Sequence, residues 1–171
     1  MKMQHFLIAV ITISTIGVIG CRKDVGQSEL KVRMTDAPGD WEAVNVDLRQ
    51  VVVKFNHDTS RWVPMQTNGG IYNLLGLQNG VDSLIADASF PGNWTVKEVR
   101  LILGNENSIQ VNGQTYPLVI PSGAETGLKI KVNEKLDATI ETIVIDFDAA
   151  LSIQNEADGY KLRPVIVRKQ S

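Results

Sequence analysis

Four aspartates are the residues of this chain whose type and spacing come nearest to chemistry. Asp36 and Asp40 lie in Thr35-Asp36-Ala37-Pro38-Gly39-Asp40, and Asp146 and Asp148 in Ile145-Asp146-Phe147-Asp148. Asp146 and Asp148 are two residues apart, so on a strand both project from one face while Phe147 points to the other. If that strand ends beside the Asp36 turn, the acids would gather around a hard cation such as Ca²⁺, which takes roughly 6–8 oxygen ligands. The same set would serve a hydrolase, because glycoside hydrolysis uses two acids roughly 5–10 Å apart. The structural alternative is that Asp36 bonds backbone N–H groups of its own turn. Asp146 would then pair with Lys129 or Lys131 across a sheet. The acids lack the spacing of an EF-hand loop, so the structural reading leads.

Other chemistry finds less support. His57 is the one histidine beyond His5 and sits in the polar turn Asn56-His57-Asp58-Thr59. Ser122, in Pro121-Ser122-Gly123, has no strand-to-helix elbow around it. No phosphate-binding glycine pattern follows a strand, and one cysteine with so few histidines does not make a zinc site. The expectation is a protein without catalytic residues or cofactor, with calcium the one metal considered. Binding has a better footing. Trp41 and Trp94 each follow a Gly-containing turn and are expected to be the more exposed tryptophans. Flat rings of this kind stack on sugars or anchor protein partners. Capping an open end of the core is the competing use of each.

The remaining residue of chemical interest is Cys21, the sole cysteine. It follows a charged start at Lys2, an apolar stretch from Phe6 to Ile19, and the small residue Gly20. Charged start, apolar run and small residue make a secretory signal. The stretch is too short and too interrupted, by Thr12, Ser14 and Thr15, for a spanning helix of roughly 20 apolar residues. Val18-Ile19-Gly20-Cys21 resembles the lipobox of bacterial lipoproteins, which implies a lipidated Cys21 that becomes the new N-terminus. Residues 1–20 are thus expected to be a cleaved signal helix, 21–28 a lipidated cysteine with a polar tether, and 29–171 the folded domain. Arg22 after the cysteine lacks the resemblance to an inner-membrane retention signal that aspartate would give. Lys23-Asp24 partly resembles a surface-export signal. The expected location is therefore the cell envelope, at the outer membrane and surface-exposed.

Composition is consistent with an exported domain of this size. The chain has 17 basic and 19 acidic residues, a net charge of −2. That balance is too weak and mixed to draw it to nucleic acid. With Cys21 acylated no disulfide is possible, so stability must come from packing.

From Glu29 the pattern is mainly of period two, which marks half-buried strands. Leu30, Val32 and Met34 alternate with Lys31 and Arg33. Val44, Val46 and Leu48 form one inward set and Val51, Val53 and Phe55 another. The phase flips between them, which predicts a β-bulge near Arg49-Gln50. Leu74 to Leu77 reads as a short turn of helix or a broken strand, and the span from Val81 to Ala88 as another helical turn. Asn112-Gly113 predicts a two-residue hairpin, since both residues accept positive φ. Leu128, Ile130 and Val132 alternate with Lys129 and Lys131, a short basic stripe expected to be a solvated sheet face, with polyanion binding the secondary reading. A last strand is expected from Tyr160 to Val167. Seven to nine strands without a long helix predict an all-β fold, a two-sheet antiparallel β-sandwich of transthyretin-like or immunoglobulin-like kind.

Several segments together resemble a known bacterial family. They are Leu30 to Pro38, Ala43-Val44-Asn45-Val46, Val99 to Leu103, Pro121-Ser122-Gly123, Gly127-Leu128-Lys129, Asp146 to Ala150, and Leu162 to Ile166. In this order they resemble domain-of-unknown-function family 4382, a β-sandwich module of bacterial lipoproteins, from about Glu29 to Arg168. Met34 departs from the family's usual leucine. The resemblance implies fold and location but no mechanism. The functional expectation is a non-enzymatic binding or structural module, tied to the membrane through Cys21, with a polysaccharide or envelope protein as partner. A hydrolase using the acids, or a calcium-stabilised scaffold, is the alternative.

Overall fold

The structure is a computed structural model that describes residues 26–121, 127–163 and 165–169. Cys21, the signal segment and Ser122 lie outside the described residues. In chain order the elements are β1 (Gln27–Thr35), β2 (Ala43–Phe55), β3 (Val63–Pro64), β4 (Gln66–Thr67) and β5 (Gly70–Asn73). A 3₁₀ turn (Leu74–Leu77), β6 (Ser83–Pro91), β7 (Thr95–Leu103), β8 (Ser108–Val111) and β9 (Gln114–Val119) follow. The chain continues with β10 (Leu128–Lys135), β11 (Ile140–Asp148), a single helical turn α1 (Ala149–Ser152), β12 (Ile153–Glu156), β13 (Gly159–Leu162) and β14 (Val165–Lys169).

The strands form a five-stranded sheet in the order β14-β11-β1-β6-β4, and a nine-stranded sheet in the order β10-β7-β2-β8-β9-β13-β12 with β3 and β5 along β2. Alternate residues of each sheet point inward and meet in one apolar core. Leu30, Val32, Met34, Ile143, Ile145 and Phe147 come from the first sheet, and Val44, Val46, Val51, Val53, Val99 and Leu101 from the second. Each such side chain contributes about 1.5–3 kcal/mol by leaving water. Arg168 ties the sheet edges together, since it pairs with Glu134 and donates to the Val132 carbonyl at 3.1 Å.

The sandwich expectation holds, but two pairings are parallel where antiparallel ones were expected. β1 runs parallel to β11, and β13 parallel to β9. Parallel neighbours need a long crossover between them, and more than a hundred residues separate β1 from β11. The span from Val81 to Ala88 is not helical. Ser83 to Pro91 is a strand paired along β1, with a register shift at Val32/Arg33 that blurs its period. The expected last strand is two strands in different sheets, β13 and β14. Strand β1 begins at Gln27, inside the span expected to be tether.

The bulge and hairpin appear where the sequence placed them. Leu48 pairs with Leu103 and Gln50 with Ile102, so Arg49 is the extra residue of β2. Asn112 and Gly113 have φ of 51° and 73° and join Val111 to its partner Gln114. Alternation hides a second feature beside the bulge. Asp47 pairs with the exposed Ile71 and so lies on the outer face of the sheet, yet it is only 1 % exposed because the loop after β7 covers it. Its Oδ2 accepts from Arg49 Nη2 at 2.6 Å and from the Glu106 N–H at 3.2 Å. Asn107 completes the node, accepting from the Asp47 N–H at 2.9 Å and donating to the Gly104 carbonyl at 2.7 Å. A Cβ at Gly104 would lie 2.0 Å from Asp47 Oδ2, whereas one at Gly113 would meet open space. Gly104→Ala is therefore expected to destabilise by more than about 2 kcal/mol, through displacement of a buried hydrogen-bonded carboxylate. Gly113→Ala should cost only about 1 kcal/mol from its positive φ. Urea denaturation of the two variants checks the order, and equal losses would refute it.

Candidate functional site

The parallel pairing of β1 and β11 brings their C-terminal ends together, with Thr35 opposite Asp146. Asp36, Asp146 and Asp148 therefore gather, as the sequence allowed, while Asp40 is exposed on the turn beyond. Asp36 is only 4 % exposed. Its Oδ1 accepts from the Ala149 N–H at 2.8 Å and its Oδ2 from Gln78 Nε2 at 3.2 Å. The Thr35 hydroxyl beside it donates to the Leu77 carbonyl at 2.8 Å. Asp148 caps α1, its Oδ1 accepting from the Leu151 N–H at 2.9 Å. Asp146 does not pair with Lys129 or Lys131, because β11 lies between β1 and β14 while β10 belongs to the other sheet. Its Oδ1 is buried without a hydrogen-bond partner.

Burial pushes the Asp36 carboxyl up to about 6, and the charges of Asp146 and Asp148 add to the rise. The N–H of Ala149 and the amide of Gln78 oppose it. Both Asp36 oxygens are thus engaged by internal donors. Among the described residues no group of three or more His, Cys, Asp or Glu is placed to hold a metal ion. The arrangement locks the end of β1 to the start of α1.

A different feature has the form of a binding site. Phe55, His57, Phe90 and Trp94 line a cleft of about 290 Å³, with Asp58 and Arg61 at its rim. The Trp94 ring centroid lies 3.9 Å from that of His57 and 4.9 Å from that of Phe55, and Phe55 meets Phe90 edge-on at 4.7 Å. The Ser60 hydroxyl and N–H hold the Asp58 carboxyl below its usual range, and the Arg61 charge adds to this. The Arg61 side chain is 80 % exposed. Pairing of β2 with β7 brings Phe55, at the end of β2, to Trp94, with the Asn56 N–H donating to the Thr95 carbonyl, and packing of the two sheets brings Phe90 of β6 onto both rings.

Trp94 is half-buried and packs on the core, more enclosed than expected, yet it lines the cleft. Trp41 also packs on the core, edge-on to Tyr160 at 6.4 Å, and lies apart from this cleft. Sequence reasoning missed Phe55, His57, Phe90 and Arg61 as companions of Trp94. Phe55 and Phe90 read as core positions and His57 as a loop residue, and what unites them is the packing of β6 from one sheet against β2 and β7 of the other.

The family profile described as Domain of unknown function (DUF4382) matches residues 27–164. The chain belongs to this family. Neither the curated proteins nor the solved structures yield a match. The family's match takes in Asp36, Asp146, Asp148 and the whole Trp94 cleft.

The raised Asp36 group has a definite sign in stability. Its folded value of about 6 exceeds the ordinary 3.8, so the folded state holds the proton more tightly than the unfolded chain. Stability should fall as pH rises from about 4 to about 6 and then level off, a loss of up to about 3 kcal/mol. Asp36→Asn keeps an acceptor for Ala149 and should remove most of that slope. Asp36→Ala leaves the buried N–H unpaired and should cost about 1–3 kcal/mol near pH 4, where the wild-type acid is protonated. Thermal melts of the three proteins between pH 4 and 7 test this, and parallel wild-type and Asn curves would contradict it.

Proposed function

We propose that the chain is a lipid-anchored envelope protein whose sandwich is a non-enzymatic binding module, with the Trp94 cleft as its ligand site. The observation that carries this reading is the cleft: stacked aromatic rings with a charged rim. A Trp–His platform suits the flat face of a sugar ring, and Arg61 and Asp58 suit its hydroxyl or carboxylate groups. The ligand class is therefore a polysaccharide of the envelope. The acids favour no hydrolase, since Asp36 is buried with both oxygens bonded and none of the four lines this cleft.

The position of the cleft supports the anchor reading. Gly26 accepts from the Gly92 N–H at 2.7 Å, and Gln27 pairs with the cleft residue Pro91. Residues 22–26 span at most about 18 Å when extended. A lipid on Cys21 would hold the mouth of the cleft close to the bilayer surface. Stable anchoring takes more than one acyl chain, which a multiply acylated cysteine supplies.

Two experiments test the proposal separately. Cys21→Ala is expected to move the protein from the membrane to the soluble fraction, and persistence with membranes would refute the anchor. Titration with oligosaccharides from envelope polysaccharide should show saturable binding that Arg61→Ala and His57→Ala each weaken by about tenfold, about 1.4 kcal/mol. Both residues are exposed, so folding is preserved. Unchanged affinity in both variants would refute the cleft as the site.

A further inference from the structure

The outer face of the nine-stranded sheet carries a second surface of distinct chemistry. Across β2, β7 and β10 the register sets Lys54 opposite Glu98 and Glu98 opposite Lys131; one row along, Val52 faces Arg100 and Arg100 faces Lys129. The alternate positions Val51, Val53, Val99, Leu101 and Ile130 are buried in the core. Lys54, Arg100, Lys129 and Lys131 therefore share the outward face, with Glu98 as the one acid among them. Neighbouring strands are about 4.8 Å apart and successive same-face residues about 7 Å, so four cations fall within a patch of about 10 Å by 7 Å.

Glu98, opposite Lys54 and Lys131, offsets one of the four charges and leaves a local excess of three. Among the described residues, none of the four has a carboxylate oxygen within 4.0 Å. Arg100 and Lys129 stand directly opposite each other, an arrangement of like charges that destabilises a sheet. The chain as a whole is net acidic, so the patch runs against its overall charge. It is also rigidly presented. The Arg100 guanidinium lies 3.8 Å from the centroid of the Trp62 ring and Lys54 Nζ 4.6 Å from it. On its other side the Arg100 stem meets Gly127, where a Cβ would lie 2.8 Å from Arg100 Cγ. Cation–π contact restrains these cations without quenching their charge.

We infer that this face binds an acidic polysaccharide, a chain of carboxylated or sulfated sugars laid across β2, β7 and β10. A flat array with an excess of cations matches anionic groups repeated along a polymer, and an anion bound between Arg100 and Lys129 would relieve their repulsion. The choice of a polysaccharide rests on the envelope reading above; the charge argument does not. The site is separate from the Trp94 cleft, because none of its residues lines that cleft.

The test uses the detergent-solubilised full chain with polygalacturonate and dextran sulfate as probes, and neutral dextran, duplex DNA and anionic phosphatidylglycerol vesicles as comparators. Binding to the two acidic polysaccharides is expected, falling at least tenfold between 50 and 200 mM salt as released counterions oppose it (a range in which about 6–10 neutralised charges would give 10³–10⁵). Lys129→Gln with Lys131→Gln, both at exposed positions, should weaken it about tenfold further without lowering the melting temperature. The binding that the lysine substitutions remove should persist in Arg61→Ala, which separates this face from the cleft. No binding, equal binding to neutral dextran, binding to DNA or vesicles alone, or no effect of the double substitution would each overturn the inference. Loss of binding on Arg61→Ala would assign the polysaccharide to the cleft and overturn it as well.

Discussion

The pairing of β1 with β11 is the constraint on which the rest of the structure depends. The two strands lie at the centre of the five-stranded sheet and supply its most completely buried side chains. Because they are parallel, everything between them must form a crossover that returns the chain to the same end of the molecule. That crossover contains the whole spine of the second sheet, β2, β7 and β8. Contacts so distant in sequence make closure slow and late in folding, and no described cross-link shortens the path. The bond from the Ala149 N–H to Asp36 fastens the pair at its C-terminal end across 113 residues.

Polar groups drawn into this frame serve it first. Asp36 and Asp47 are both almost wholly buried, and each holds a junction that apolar packing alone would leave undefined. Asp36 joins the end of β1 to α1 and to the 3₁₀ turn, and Asp47 joins the β2 bulge to the loop after β7. A buried carboxylate is tolerable only when donors converge on it, and in both places backbone N–H groups do so. Two of the acids that suggest chemistry in the sequence, Asp36 and Asp148, are thus bonded to backbone N–H groups in the fold.

The two candidate binding surfaces are products of strand ends and sheet faces. The Trp94 cleft forms where β2, β6 and β7 reach one end of the sandwich, and the basic face forms where β2, β7 and β10 lie side by side. Both share strands β2 and β7, the two most extensively paired members of their sheet. The cleft also lies next to the point where the chain enters the domain.

Local order was legible in the sequence because it is set by local physics. Alternation fixed the inward faces of β1, β2, β7 and β10, the phase flip fixed the bulge at Arg49, and Asn112-Gly113 fixed the hairpin by its tolerance of positive φ. The gathering of Asp36, Asp146 and Asp148 was legible as a condition, since it needed only that two strand ends meet. What tertiary structure alone decided was which strands are neighbours. Period-two patterns are alike for parallel and antiparallel partners and for either sheet, so they did not separate β13 from β14, place β11 beside β1, or keep Lys129 from Asp146. They also hid the burial of Asp47, which lies on the outer face of its sheet and is covered by the loop after β7. Adjacency is chosen by the burial of whole faces against one another, a property of the complete core, and the aromatic cleft and the basic face exist only once that choice is made.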